Sequence, residues 1–385
     1  MIRSIDSYLR SEGQWKVQTK QTHLFSIYVA LLYVSMFLNF FSYPILWYLL
    51  IALSPLIFLA CNQRLKFKKN IYILIFYICL STFFIIASAL IQNREINLSV
   101  LNIISILSSL LNGYLLSQQK IKLKIIATPI ILFILFSFFI IIKGTDPNFV
   151  FTQSSRNTFS WLAIFGSSLF YICQLKKGIN CKISIWPACC GFIISVWSLG
   201  RSGIISSGII LVGIIMYKLK NHKVKAILFF FLMVLFFLLS YHLFKPQIEF
   251  IVKVTMRFTY EDINNNPRIE IAGNYMKNIA SMKGILLGAK LSTINYMEQW
   301  NFNLHNSFLN FHSFMGIGSI ILIMLIIIGI IRKAFRSILL GFIGIALLLR
   351  ISTDTGAFVG PMDFLLFYFL FSEMLFYKTS NVPRC

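Results

Sequence analysis

Four residues of this chain combine a useful chemistry with a position that suits it. Arg201 stands in "SLGRSGIISSG", between two apolar runs. Arg268 follows Pro267 in "NNNPRIEIAGNYMKN", Arg156 precedes an apolar run in "SSRNTFSW", and His305 lies in "NLHNSFLNFHSFMGIG" just before another. An arginine presents a fixed fork of donors that fits phosphate oxygens. A helix start beside it adds free backbone N–H groups that favour the same anion. An imidazole can take up a proton near neutral pH. The chemistry open to this set is therefore anion binding by the arginines and general-base catalysis by the histidine.

Each residue also has a plainer reading. Arg201 could snorkel to anchor its turn at lipid headgroups, although a charge at that depth costs several kcal/mol in apolar surroundings and is seldom incidental. Ser202 is a good N-cap type for the helix that follows. Pro267 suits a first helical position and puts Arg268 in a first turn, where a cation opposes the helix dipole unless an anion is its intended neighbour. Glu270 partly offsets that charge, and an ordinary surface arginine is the alternative. Arg257 has Glu261 at i+4 and reads as a surface ion pair. Arg350 and Asp354 have the same spacing and could pair with each other. His312, two turns beyond His305, reads as structural. Gly203, Ser207, Gly208 and Gly213 read as close helix packing.

The elements that must position these residues are membrane helices. The 385 residues are 58% hydrophobic and 12% charged, and the mean hydropathy is +0.79. Repeated apolar runs of about 17–25 residues in such a chain are spans. About twelve fit the pattern: 23–41, 45–61, 71–91, 98–117, 125–143, 159–175, 183–199, 202–217, 226–244, 313–331, 337–350 and 362–377. The expected fold is an all-α polytopic membrane protein. The first twenty residues are polar and precede a run long enough to remain as a helix, so no cleavable signal is expected. The seven cysteines fall in apolar runs or basic loops and read as packing residues and free thiols.

A net charge of +23 could suggest nucleic acid, but the lysines and arginines punctuate the apolar runs in short clusters instead of covering one domain. With the N-terminus in the cytoplasm, the inner loops collect Arg64, Lys66, Lys68 and Lys69, then Lys120, Lys122 and Lys124, then Lys176, Lys177 and Lys182, and later Arg332, Lys333 and Arg336. That is the positive-inside pattern, so the charge reports an N-in, C-in orientation and no nucleic-acid partner. The chain then divides into a cytoplasmic segment (1–22), spans one to nine (23–243), an outer loop (244–312), three further spans (313–377) and a cytoplasmic tail (378–385). The outer loop between spans nine and ten is too long for a simple connection. Apolar residues at helical spacing predict one surface helix over Gln247–Thr259 and a second after Pro267, ended by Gly284 and Gly288. Arg201, Arg156, Arg268 and His305 all fall on the outer side.

No Asp-x-Asp pair or His/Cys/Asp cluster marks a metal site, no phosphate-binding glycine loop points to a nucleotide, and no nucleophile elbow is present, so neither metal nor cofactor is expected.

The outer "GRSG" turn, the loop stretch "PRIEIAGNYMKNIASMKGILLG" and the "HNSFLNFHSFMGIG" that opens the next span resemble the O-antigen polymerase and ligase superfamily, over roughly the C-terminal two-thirds of the chain. The resemblance implies a glycosyltransferase of the bacterial inner membrane, acting at the periplasmic face on undecaprenyl-diphosphate-linked oligosaccharides. It implies that Arg201 and Arg268 bind the diphosphate and that His305 is the base. Arg156, which starts the sixth span from the outer face, is a third candidate phosphate contact on its position alone, and Arg257, Glu261, Glu270, Asn306 and Asp354 are candidate supporting residues. Met282 and Lys283 stand where the family tends to have His-Pro. A flippase and a chain-length regulator of the same pathway would be partners. The polymerase, which joins repeat units, is the preferred reading. A ligase that transfers the glycan to lipid A–core would use the same donor and residues. A transporter of lipid-linked oligosaccharides is the alternative from another class, but the long loop lies outside after span nine, not inside between spans six and seven.

Overall fold

In a computed structural model of the protein, the described residues are 2–62, 69–152, 156–176, 182–219, 267–294, 297–300, 302–354, 358, 360 and 363–371. The expected ninth span (226–244), the surface helix over 247–259, and Arg257 and Glu261 lie outside them. The described part is helical and contains no strand. Its first half is α1 (Ile2–Asn39), α2 (Ile45–Cys61), α3 (Lys69–Ile91), α4 (Ile96–Gln118), α5 (Leu123–Ile142), α6 (Asn157–Leu175), α7 (Trp186–Trp197) and α8 (Arg201–Leu219). Beyond residue 266 follow α9 (Pro267–Asn278), α10 (Met282–Leu287), α11 (Ser307–Met315), α12 (Ile317–Ala334), α13 (Ile338–Ser352) and the short α14 (Phe364–Phe367).

Seven of these helices are long and apolar enough to cross a membrane, and α2, α7 and α13 are shorter apolar helices. The molecule is thus a membrane protein by length and composition of its helices. A chain this apolar forms helices because, in lipid, every backbone N–H and C=O must be paired within its own segment. Prolines are accommodated inside α2 (Pro55) and α5 (Pro129), and buried serines such as Ser81, Ser137 and Ser195 return their hydroxyls to the carbonyl one turn back.

The centre of the bundle is α6, whose residues from Thr158 to Leu175 are all buried. Tyr33 of α1 donates its hydroxyl to the Leu162 carbonyl at 3.1 Å, fixing α1 against it. Two glycines of α8 let neighbours approach: a Cβ at Gly203 would lie 2.4 Å from Ser160 of α6, and one at Gly213 would lie 2.5 Å from Phe342 of α13. Their assignment to packing stands. Gly208 meets only ordinary contacts at 3.5 Å from Phe192. The α6–α8–α13 unit holds the starts of α6 and α8 and the end of α13 at one end of the bundle.

The helices depart from expectation in four places. The segment expected to precede the first span is part of the same helix, α1 running unbroken from Ile2 to Asn39. The tenth span, expected as one run from 313, is two helices. α11 begins at Ser307 and stops at Gly316, whose φ of 55° breaks the helix before α12. The second loop helix, α9, begins at Pro267 as expected but ends at Asn278; Ser281 then accepts from the Gly284 amide and caps a separate α10, so Gly284 lies inside a helix and only Gly288 ends one. Of the last expected span, the described residues form an α-helix over Phe364–Phe367 that tightens to a 3-10 turn over Tyr368–Leu370. Five cysteines, Cys61, Cys79, Cys173, Cys189 and Cys190, are free thiols.

Candidate functional site

The start of α6 is the floor of the candidate site. Arg156 is half-buried immediately before it. The turn between α7 and α8 lies against the same place: Leu199 adopts a left-handed φ of 54° to reverse the chain, and a Cβ at Gly200 would come within 2.7 Å of Asn157 Oδ1. The Gly200 carbonyl accepts from the Ile204 amide at 2.9 Å, which starts α8 at Arg201. Ser202 is therefore inside the helix and does not cap it. Arg201 is half-buried in the first turn, beside backbone N–H groups that no carbonyl of their own helix can reach.

Arg350, in the last turn of α13, closes over this floor. It is 1% exposed. Its Nη2 donates to the Asn157 carbonyl at 3.2 Å and to Asp354 Oδ2 at 3.2 Å, and its guanidinium lies 5.8 Å from the centroid of the Trp161 ring. The expected Arg350–Asp354 pair is formed. The Nε and Nη1 of Arg350 are buried and find no hydrogen-bond acceptor among the described residues.

The segment after residue 266 completes the cluster. Arg268, in the first turn of α9, donates from Nη1 to the Thr353 carbonyl at 2.6 Å. Ser307 donates its hydroxyl to the Asp354 carbonyl. His305, half-buried with a left-handed φ of 49°, donates its backbone N–H to Asn303 Oδ1 at 2.8 Å. Burial, and then the nearby Arg268 charge, push its imidazole pKa below the ordinary 6.5; the Asp354 carboxylate pulls the other way. His305 is thus a neutral imidazole at neutral pH, set beside an arginine and a carboxylate.

The structure brings Arg268, His305, Asp354 and Arg350 into one cluster and sets the Arg201 turn and Arg156 next to it through Asn157. Asn306 has a different role. Its side-chain oxygen accepts from the amides of Phe308 at 2.9 Å and Leu309 at 3.2 Å, capping α11. Glu270 is exposed on α9 and forms no ion pair among the described residues. His312 is structural, as expected, because both ring nitrogens are engaged. Nδ1 meets the Tyr275 hydroxyl at 2.7 Å and Nε2 meets the Ile285 carbonyl at 3.0 Å.

Sequence reasoning missed the weight of Arg350 and the way the α9–α11 segment is held. An arginine inside an apolar run is signal enough for the first. The second has none. Gln92, in the loop after α3, donates to the Leu287 and Gly288 carbonyls at 2.7 and 2.8 Å. Ser88 donates to Leu287 at 2.7 Å, Lys290 donates to the Asn93 carbonyl at 3.1 Å, and Arg94 reaches the Ser313 carbonyl. Under this clamp Ile271, Tyr275, Ile279, Ile294, Met297 and Leu304 form a small core of their own.

No family model, curated protein or solved structure matches this chain. Arg350 pairs with the partly exposed Asp354 carboxylate, Arg268 donates to the neighbouring Thr353 carbonyl, two of the buried donors of Arg350 lack an acceptor among the described residues, and a neutral imidazole stands beside them. Such a site suits a multiply charged anion that carries, or reacts with, a group to be deprotonated.

Proposed function

We propose that this cluster binds the diphosphate of a lipid-linked oligosaccharide and that the protein is a membrane glycosyltransferase, an O-antigen polymerase. The observation that carries this reading is the convergence of Arg268, His305 and Asp354 with buried Arg350, from segments far apart in the chain, at one end of a membrane bundle. Positive-inside loops support placing that end at the periplasmic face of the bacterial inner membrane. A donor that enters from the bilayer could present its diphosphate there while its polyprenyl chain stays in lipid.

The chemistry follows from the groups present. His305 takes the proton from a hydroxyl of the acceptor sugar, and that oxygen attacks the anomeric carbon of the donor. The bond from that carbon to the diphosphate oxygen breaks as the new C–O bond forms, and the electron pair leaves with the diphosphate. Arg268 and Arg201, with the N–H groups at the start of α8, stabilise the charge that develops on it. Undecaprenyl diphosphate is a good leaving group, so no general acid is needed, and a single displacement inverts the anomeric configuration. Asp354 holds Arg350 and tempers the fall in the His305 pKa, which is a positioning role.

The test is a gel of lipopolysaccharide from the source bacterium with the gene deleted and then complemented. A polymerase leaves lipid A–core with a single repeat unit upon deletion. Bare core with polymer accumulating on undecaprenyl diphosphate would replace this reading by the ligase. Accumulation of substrate in vesicles without a new glycosidic bond would replace it by a transporter, and an unchanged ladder would remove all three.

A further inference from the structure

We propose that the end of the bundle opposite the arginine cluster carries a binding site for the phosphate headgroup of an anionic lipid. Lys333, in the last turn of α12, is 4% exposed, and its Nζ makes no hydrogen bond among the described residues. Aromatic faces lie against it instead, with Nζ 3.4 Å from the centroid of the Tyr368 ring and 5.5 Å from that of Phe369. Lys176 and Arg336 stand near enough to repel its charge. A buried ammonium without an acceptor, next to like charges, is costly unless an anion is supplied.

A cleft of about 120 Å³ opens at this point, with Arg332, Lys333 and Arg336 on one stretch of its lining and Leu325, Ile328 and Phe369 on the rest. Leu325 precedes Lys333 by two turns and more, so the apolar wall runs about 12 Å along α12 towards the middle of the bundle. Ile328 is exposed and Leu325 half-buried along that wall. Cations at the helix end with an apolar wall beneath them match a phosphate headgroup and the top of an acyl chain. A soluble phosphate ion would use the cations and leave the wall bare. The occupant is therefore a lipid, and this site stands apart from the diphosphate site at the other end.

The experiment is native mass spectrometry of the full-length protein in a nonionic detergent, titrated with phosphatidylglycerol or phosphatidylcholine. Phosphatidylglycerol should be retained in preference to phosphatidylcholine, and inorganic phosphate should not displace it. Lys333→Gln should weaken that retention by about tenfold, the loss of one charge-assisted contact. Ile328→Trp, which fills the cleft and leaves every cation in place, should weaken it comparably and carries the test if Lys333→Gln does not fold. Equal retention of the two lipids, or wild-type retention of phosphatidylglycerol in the folded variants, overturns the proposal. Displacement of the lipid by inorganic phosphate overturns it in favour of a simple ion site.

Discussion

The two ends of the bundle differ in what they offer buried positive charge: one pairs it with a carboxylate, and the other, among the described residues, does not. At the arginine end, Arg350 reaches the Asn157 carbonyl and the Asp354 carboxylate, Arg268 reaches the Thr353 carbonyl, and Ser307 ties down the backbone of Asp354. At the other end, Lys176 reaches the Leu116 and Gln119 carbonyls, while Lys333 has aromatic rings and no hydrogen-bond acceptor among the described residues. The first arrangement is built from segments far apart in sequence and fixes each group relative to the others, as a reacting site requires. The second gathers charge near helix ends and leaves part of it without a counter-charge, as suits a site whose ligand brings the missing one. A cluster that must position atoms neutralises itself in part; one that must hold a headgroup need not.

The largest effect should come from cutting the first arrangement at its buried member. Arg350→Ala removes the partner of Asp354 and the donor to Asn157. It should destabilise the protein by about 3 kcal/mol, the lower part of the range for breaking a buried pair because Asp354 is a quarter exposed. Lys333→Met, in contrast, removes a buried charge that lacks an acceptor among the described residues and should leave stability nearly unchanged or raise it. Thermal unfolding in one detergent compares the two directly. If Lys333→Met unfolds as early as Arg350→Ala, the two ends do not differ in the way described.

A smaller but more specific effect concerns His305. Burial and Arg268 hold its pKa below 6.5 and Asp354 opposes them, so, on the proposed polymerase function, the acid limb of activity should lie below pH 6.5 in the unaltered protein. Arg268→Ala takes away a positive neighbour, protonation becomes easier, and the limb should move to higher pH. The same change should reduce the rate by about 10²–10³, the cost of losing one preorganised donor to a developing charge. Asp354→Asn should move the limb the other way, to lower pH. A pH–rate profile of membranes with lipid-linked repeat units checks both signs. A limb that stays put in both variants would remove His305 as the titrating base.

The difference between the ends is only partly legible in the sequence. Apolar runs mark the spans because backbone satisfaction in lipid demands long helices, and α2 to α8 follow the expected runs closely, whereas α1 extends back through the polar residues to Ile2. Pro267 marks the start of α9 and so places Arg268 in a first turn, which depends only on neighbouring residues. Gly316 is the opposite case. Its φ of 55° and the approach of the Leu286 carbonyl, 2.1 Å from where a Cβ would sit, break one expected span into α11 and α12. That contact joins segments about thirty residues apart and leaves no local trace. Ser202 is a residue type that caps helices, but the reversal at Leu199 starts α8 at Arg201, two residues before a cap at Ser202 would. The pairing of Arg350 with Asp354 is legible because i+4 spacing is local; its contact with Asn157 on α6 depends on how α13 packs. The crowding of Lys333 with Lys176 is equally a product of packing.

The smallest effect separates the scaffold of the site from its chemistry. Asn306 directly follows His305, yet its side chain faces the Phe308 and Leu309 amides and caps α11. Asn306→Ala should cost about 1 kcal/mol, as the loss of an N-cap does. The acid limb of the pH profile should stay where it is, because no charge near His305 is altered. Asn306→Asp should keep the cap while adding a negative charge beside His305, so the limb should move to higher pH with stability retained. Opposite responses of stability and pH limb in the two variants are what a cap next to a base gives. If Asn306→Ala moves the limb without lowering the melting temperature, the amide acts on the imidazole or its substrate, and Asn306 belongs to the reacting cluster at the arginine end.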